Sequence, residues 1–105
     1  MIDRLESISR HYAELESELA RPEVVAEHEQ VTKLARELAS MRDIVEAYRE
    51  YREAEKAHQE ARELLHAEKD PEMLEYLRAE EATTAARIEE LNERLKVLLL
   101  SLIHI

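Results

Sequence analysis

A chain of 105 residues without a single glycine has little freedom to fold into anything but helices. Glycine is the residue that enters left-handed backbone at no steric cost, so tight hairpin turns, phosphate-cradling loops and strained catalytic elbows all lean on it. Here those devices are missing from the alphabet. Ala, Glu, Leu, Arg and Lys supply 66 of the 105 residues, above the roughly half that marks coiled coils and long helices. These side chains lose little rotamer freedom in a helix, or have none to lose. The fold class expected is all-α, an elongated antiparallel three-helix bundle with coiled-coil character, from a chain of single-domain length.

Periodicity places the elements. Ile2, Leu5, Ile8, Tyr12, Leu15 and Leu19 recur in steps of three and four, the signature of one apolar helical stripe. The first helix is expected over about 2–20, ended by Arg21-Pro22, because proline cannot continue a helix and biases the residue before it toward extended angles. Pro22 to Val25 reads as a short turn or a single helical turn. A second helix of about 27–67 carries Val31, Leu34, Leu38, Met41, Val45, Tyr48 and Tyr51, with Ile44 alongside. From Ala54 to Ala61 its stripe thins to alanines and His58, then closes with Leu64 and Leu65. At ~1.5 Å per residue it spans roughly 60 Å. Asp70-Pro71 is an N-cap followed by a proline suited to the first helical position, so a third helix is expected over about 71–99. Its stripe is Leu74, Leu77, Thr84, Ile88, Leu91, Leu95 and Leu98, with Glu81 where an apolar residue is due. Both connections are short, so neighbouring helices should run antiparallel.

Charge and cysteine content narrow the function classes. The net charge is −10, which repels a bare phosphate backbone, so no direct sequence-specific nucleic-acid contact is expected. With no cysteine, disulfide and thiol chemistry are excluded, in keeping with a reducing compartment. Met1-Ile2-Asp3-Arg4 is charged at once, unlike an apolar signal core. Val97 to Ile105 is about half as long as a membrane span needs. The expectation is a cytoplasmic chain with no membrane association.

Each candidate constellation has a plainer reading. Glu55-x-x-His58 matches the pair used in di-iron bundles, but such a site needs two pairs and further carboxylates from facing helices; only one pair exists, and His58 is expected half-buried in the alanine-rich stretch. His11, His28, His58 and His66 share no ligand spacing. Ser7 and Ser9 lack a strained turn or an oxyanion donor loop around them. Tyr48 and Tyr51 with Arg49 and Arg52 could form an aromatic-basic stripe for nucleic acid; as core residues with snorkelling arginines they fit better. Lys33, Arg36 and Arg42 form a positive cluster that nearby glutamates blunt. Catalytic residues, cofactor-binding residues, metal ligands and cofactors are therefore all expected to be none.

The ordered segments Arg21-Pro22-Glu23-Val24-Val25, Ile44-Val45-Glu46-Ala47-Tyr48-Arg49-Glu50-Tyr51-Arg52, Ala61-Arg62-Glu63-Leu64-Leu65, Lys69-Asp70-Pro71-Glu72-Met73 and Leu95-Lys96-Val97-Leu98-Leu99-Leu100 carry a resemblance. Over residues 1–100 the chain resembles the N-terminal helical domain of bacterial class I peptide chain release factors. Its triple-leucine end favours the release factor 1 branch over release factor 2. The resemblance implies a whole protein that directs translation termination at stop codons, UAA and UAG for the release factor 1 branch, reading the codon with a tripeptide and hydrolysing peptidyl-tRNA with a Gly-Gly-Gln loop. Neither element is matched by residues of this chain, so the chain itself is expected to be no enzyme. What the resemblance leaves is a docking domain, a monomer that reaches the ribosome at the stalk base of the large subunit. Contacts with the GTPase recycling factor and with the Gly-Gly-Gln methyltransferase are also implied. The competing class is an acidic coiled-coil interaction module that oligomerises.

After the triple leucine the pattern departs from the family. Leu100-Ser101-Leu102-Ile103-His104-Ile105 is what one frame of a common transposon-based sequencing adaptor end encodes, so residues 101–105 are expected to be non-native. Being apolar and free of breakers, they are nevertheless expected to continue the third helix.

Overall fold

The fold was analysed in a computed structural model that describes residues 1–103. It is all-α. Helix α1 spans Ile2–Leu19, α2 Pro22–Val25, α3 His28–Ala67 and α4 Pro71–Ile103. The three long helices fall within one residue of the expected bounds, save the last. Helix α4 continues through Ser101, Leu102 and Ile103, as an apolar run without a breaker should; His104 and Ile105 lie outside the described residues. Pro22–Val25 is a helical turn, not an irregular one. Arg21 before it is extended, at φ −75° and ψ 132°, the conformation that a following proline imposes. No described residue has positive φ, in keeping with a chain that lacks glycine.

The chain forms two compact units, Met1–Glu46 and Ala47–Ile105. In the first, α1 and α2 pack together, and the buried apolar residues are Leu5, Leu15, Val24, Leu38, Ile44 and Val45. Leu5 is 1% exposed, whereas Ile2, the first residue of the expected stripe, is exposed: one turn from the chain end, it has no neighbour to cover it. Arg21 binds the Glu23 carboxylate at 2.6 Å. The Glu23 carboxyl is held below its ordinary value by its own backbone N–H first and by Arg21 second.

The second unit is a helical hairpin. Three cross-helix contacts give its sense: Glu50 with Arg87, His58 with Thr84, and Arg62 with Glu81. Residue numbers rise on α3 as they fall on α4, so the two run antiparallel, as short connections demand. The connection is Glu68-Lys69-Asp70. The Glu68 carboxylate accepts the backbone N–H groups of Lys69 (3.2 Å) and Asp70 (3.1 Å). Asp70 Oδ2 then accepts the Met73 N–H at 3.1 Å, satisfying one of the orphan donors of the α4 N-terminus.

Burial in the hairpin follows a heptad. On α3 the buried residues include Ala47, Ala54 and Ala61; on α4 they are Leu77, Thr84, Leu91 and Leu95. Leu64, expected to close the α3 stripe, is 55% exposed. Ala61 and Leu65, four apart, already occupy the inward face, and a residue adjacent to Leu65 points about 100° away. Only one member of a Leu-Leu pair can face the seam.

Candidate docking surfaces

The residues weighed for chemistry are mostly engaged in structure. His58 is half-buried and faces α4: its Nδ1 lies 3.0 Å from Thr84 Oγ1 and 3.1 Å from the Glu81 carbonyl oxygen. Glu55, its would-be partner in a metal pair, accepts instead from the Tyr51 hydroxyl. Burial first, and the Glu55 carboxylate second, push the Tyr51 phenol above its ordinary value. His11, His28 and His66 are exposed. Among the described residues no three His, Asp or Glu side chains stand where they could share a metal ion.

The aromatic-basic stripe belongs to the core. Tyr48 is 4% exposed, its ring stacks on Tyr51 at 6.3 Å between centroids and 18° between planes, and the Arg52 guanidinium carbon sits 5.8 Å from the Tyr48 ring centroid, within cation–π range. An aromatic face already covered by a neighbouring ring and a guanidinium is no platform for a base.

The positive cluster is divided. Lys33 and Arg36 border an open groove of about 520 Å³ on α3 with His28, Glu29, Thr32 and Glu37. Arg42 borders another, of about 380 Å³, with Tyr12, Glu16, Leu19, Ala20 and Leu38. Lys33 also faces a third, of about 370 Å³, that includes Glu18 and Glu37. Each of these three grooves has a carboxylate in its wall, which offsets the charge of its cation.

What the surface offers is apolar. At the turn end of the hairpin Leu64, Met73 and Tyr76 are 55%, 44% and 62% exposed; toward the other end of α4, Val97, Leu100 and Ile103 are 62%, 57% and 65% exposed. The periodic reading missed the first group, and the available signal was Tyr76 itself, a large aromatic one residue off the Leu74–Leu77 stripe. Scattered exposed apolar residues are ordinary on a protein surface; Leu64 near the end of α3 and Met73 and Tyr76 in the first two turns of α4 flank the Glu68-Lys69-Asp70 connection. No helix of the described residues is long and apolar enough to cross a membrane.

The chain is 40% identical over 100 residues to peptide chain release factor 1 of Chloroherpeton thalassium, 37% over 100 residues to that of Oceanobacillus iheyensis, and 39% over 99 residues to that of Syntrophobacter fumaroxidans. These alignments take in 94–95% of this chain but 28% of each relative, so the chain spans little more than a quarter of their length. No solved structure matches it. The PCRF domain matches residues 8–102, which takes in part of α1, all of α2 and α3, and α4 to its penultimate residue: the chain belongs to the PCRF domain family.

Proposed function

We propose that this chain is the helical docking portion of a release factor 1, a protein that directs translation termination at stop codons in the cytoplasm. The observation that carries the reading is the match of nearly the whole chain to release factor 1 relatives of which it spans 28%. In a protein of that length, codon reading and hydrolysis fall to the remainder, and this portion is no enzyme. Its part is to hold the protein on the ribosome, at the stalk base of the large subunit, with the exposed Leu64, Met73 and Tyr76 spot as the contact. The GTPase recycling factor and the Gly-Gly-Gln methyltransferase are the protein partners of the same reading. A helical portion suits this work, because its backbone is already ordered and little of it has to be fixed on binding.

The test is a binding titration of the labelled chain against large ribosomal subunits, with and without their stalk-base proteins. Saturable binding that requires the stalk base is expected, weakened about tenfold or more by Leu64→Glu with Tyr76→Glu, since charged groups in the centre of an apolar contact are left without partners. Binding that ignores the stalk base, or no binding together with stable self-association by light scattering, would move the chain to the class of oligomerising coiled coils. Hydrolysis of peptidyl-tRNA by the isolated chain would overturn the assignment of chemistry to the remainder.

A further inference from the structure

The α3–α4 hairpin has a repeat problem and one polar device against it. Ala47, Ala54 and Ala61 are buried every seven residues on α3, and Leu77, Thr84 and Leu91 every seven on α4. A seam that repeats by heptads can slide by one heptad and still face its apolar side chains inward. Packing alone therefore discriminates weakly between registers.

Thr84 interrupts the repeat. It is 7% exposed and the buried polar residue of the core. Its hydroxyl donates back along α4 to the Glu80 carbonyl at 2.8 Å, leaving its oxygen to accept. His58 Nδ1 lies 3.0 Å from that oxygen and 3.1 Å from the Glu81 carbonyl. A carbonyl can only accept, so Nδ1 carries the proton and donates to both. The half-buried donor and the buried acceptors are satisfied by each other, and no buried side-chain nitrogen or oxygen among the described residues lacks a partner.

Slid by one heptad either way, His58 meets Leu77 or Leu91 where Thr84 stood: its Nδ1–H keeps a backbone carbonyl of α4, Leu74 or Ile88 in place of Glu81, but loses the hydroxyl, the one acceptor that differs between registers. The exposed ion pairs of the hairpin resist sliding less. The Glu50–Arg87 and Arg62–Glu81 ion pairs stand in the same register, but their side chains are 37–57% exposed and water replaces them readily. A shifted register would make the Glu68–Asp70 connection re-form half a heptad along one helix, with loss of the Asp70 cap and, in the direction that lengthens α4, with Pro71 inside that helix, so the connection opposes one of the two shifts more than the other. We propose that the His58–Thr84 contact selects the single register of the α3–α4 pairing from its heptad-shifted alternatives.

The absence of native cysteine makes register directly readable in the whole 105-residue chain. Glu50→Cys with Arg87→Cys reports the observed register; Glu50→Cys with Glu80→Cys, or with Arg94→Cys, reports the two shifts. In an oxidising glutathione buffer, with intramolecular disulfides scored by mass, the otherwise unaltered chain should close only the 50–87 pair. In the background His58→Leu with Thr84→Val, which keeps the seam apolar, a shifted pair should trap on the order of a tenth of the chains. Thr84→Ser, which keeps the hydroxyl, should restore closure at 50–87 alone. A helical double variant that still closes only 50–87 overturns the proposal. Should the double variant lose its helical circular dichroism, Thr84→Val alone carries the test: shifted closure in a helical chain supports register selection. Closure at 50–87 alone, or loss of helix in this variant too, refutes it, since the pair would then serve folding and not register.

Discussion

Two stretches of α4 bury their inward faces by different means. Around Leu91 and Leu95 the helix is sealed, at 1% and 0% exposure, by large apolar side chains that owe their stability to area removed from water. Around Leu77 to Thr84 the opposite helix offers Ala54, His58 and Ala61, and the contact is held by small side chains and a hydrogen-bonded polar pair. The leucine stretch is strong and indifferent to which leucine meets it. The alanine stretch is weaker and particular. One helix thus separates two demands on a long hairpin, cohesion and register, along its length.

The sharpest way to break that comparison is to empty the leucine stretch. Leu95→Ala, and Leu91→Ala beside it, should each cost about 2–5 kcal/mol, the transfer term plus the cavity left behind, read from urea midpoints at constant m-value. A loss under ~0.5 kcal/mol would mean that the end of α4 carries no more cohesion than its middle. Leu38→Ala, on the core side of α3 in the first unit, should fall in the same range.

How much of this was legible before the fold was known differs from element to element. The helix bounds were, because Pro22 and Asp70-Pro71 act locally: a proline sets the residue before it, and an N-cap needs only the next three residues. The half-burial of His58 and the anomaly of Glu81 on the stripe were visible as well. That the two belong to one contact was not. Periodicity within a helix tells which face is inward, and nothing in it says which residue of another helix, 23 or 26 positions away in sequence, will stand opposite. The exposure of Leu64 was misread for a related reason. Hydrophobicity argued for burial, and only the positions of Ala61 and Leu65 on the seam decided against it. The exposure of Met73 and Tyr76 needed three dimensions, since it depends on which face of α4 the neighbouring helix covers.

The alanine stretch should respond to size in the opposite sense. Ala61 is 3% exposed, so Ala61→Leu must push the helices apart or leave its rotamer, at about 1–3 kcal/mol. If the variant gained stability, the small residues would be an unfilled gap and the two stretches would differ only in how well they are packed. A smaller effect comes from the turn. Asp70→Ala removes the acceptor of the Met73 N–H and should cost about 1 kcal/mol; a cost near that of Leu95→Ala would place the cohesion of the hairpin in its connection.

The smallest effect is zero at neutral pH and grows in base. Tyr51 stands between the two stretches, its phenol held above the ordinary tyrosine value by burial and then by the Glu55 carboxylate. The folded chain therefore keeps that proton to higher pH than the unfolded chain does. By linkage, the stability this contributes is whole below pH ~10 and drains away as pH rises through the folded value. Comparing urea midpoints of the natural chain and Tyr51→Phe at pH about 8 and again near 10.5 isolates the residue, because every other position is the same in both proteins. The gap between the two proteins should shift in favour of the phenylalanine variant as pH rises. If instead the gap stays constant, ionising the phenol costs the fold nothing, and Tyr51 belongs with the solvated residues at the margin of the seam, leaving the leucine and alanine stretches in direct succession with no titratable group between them.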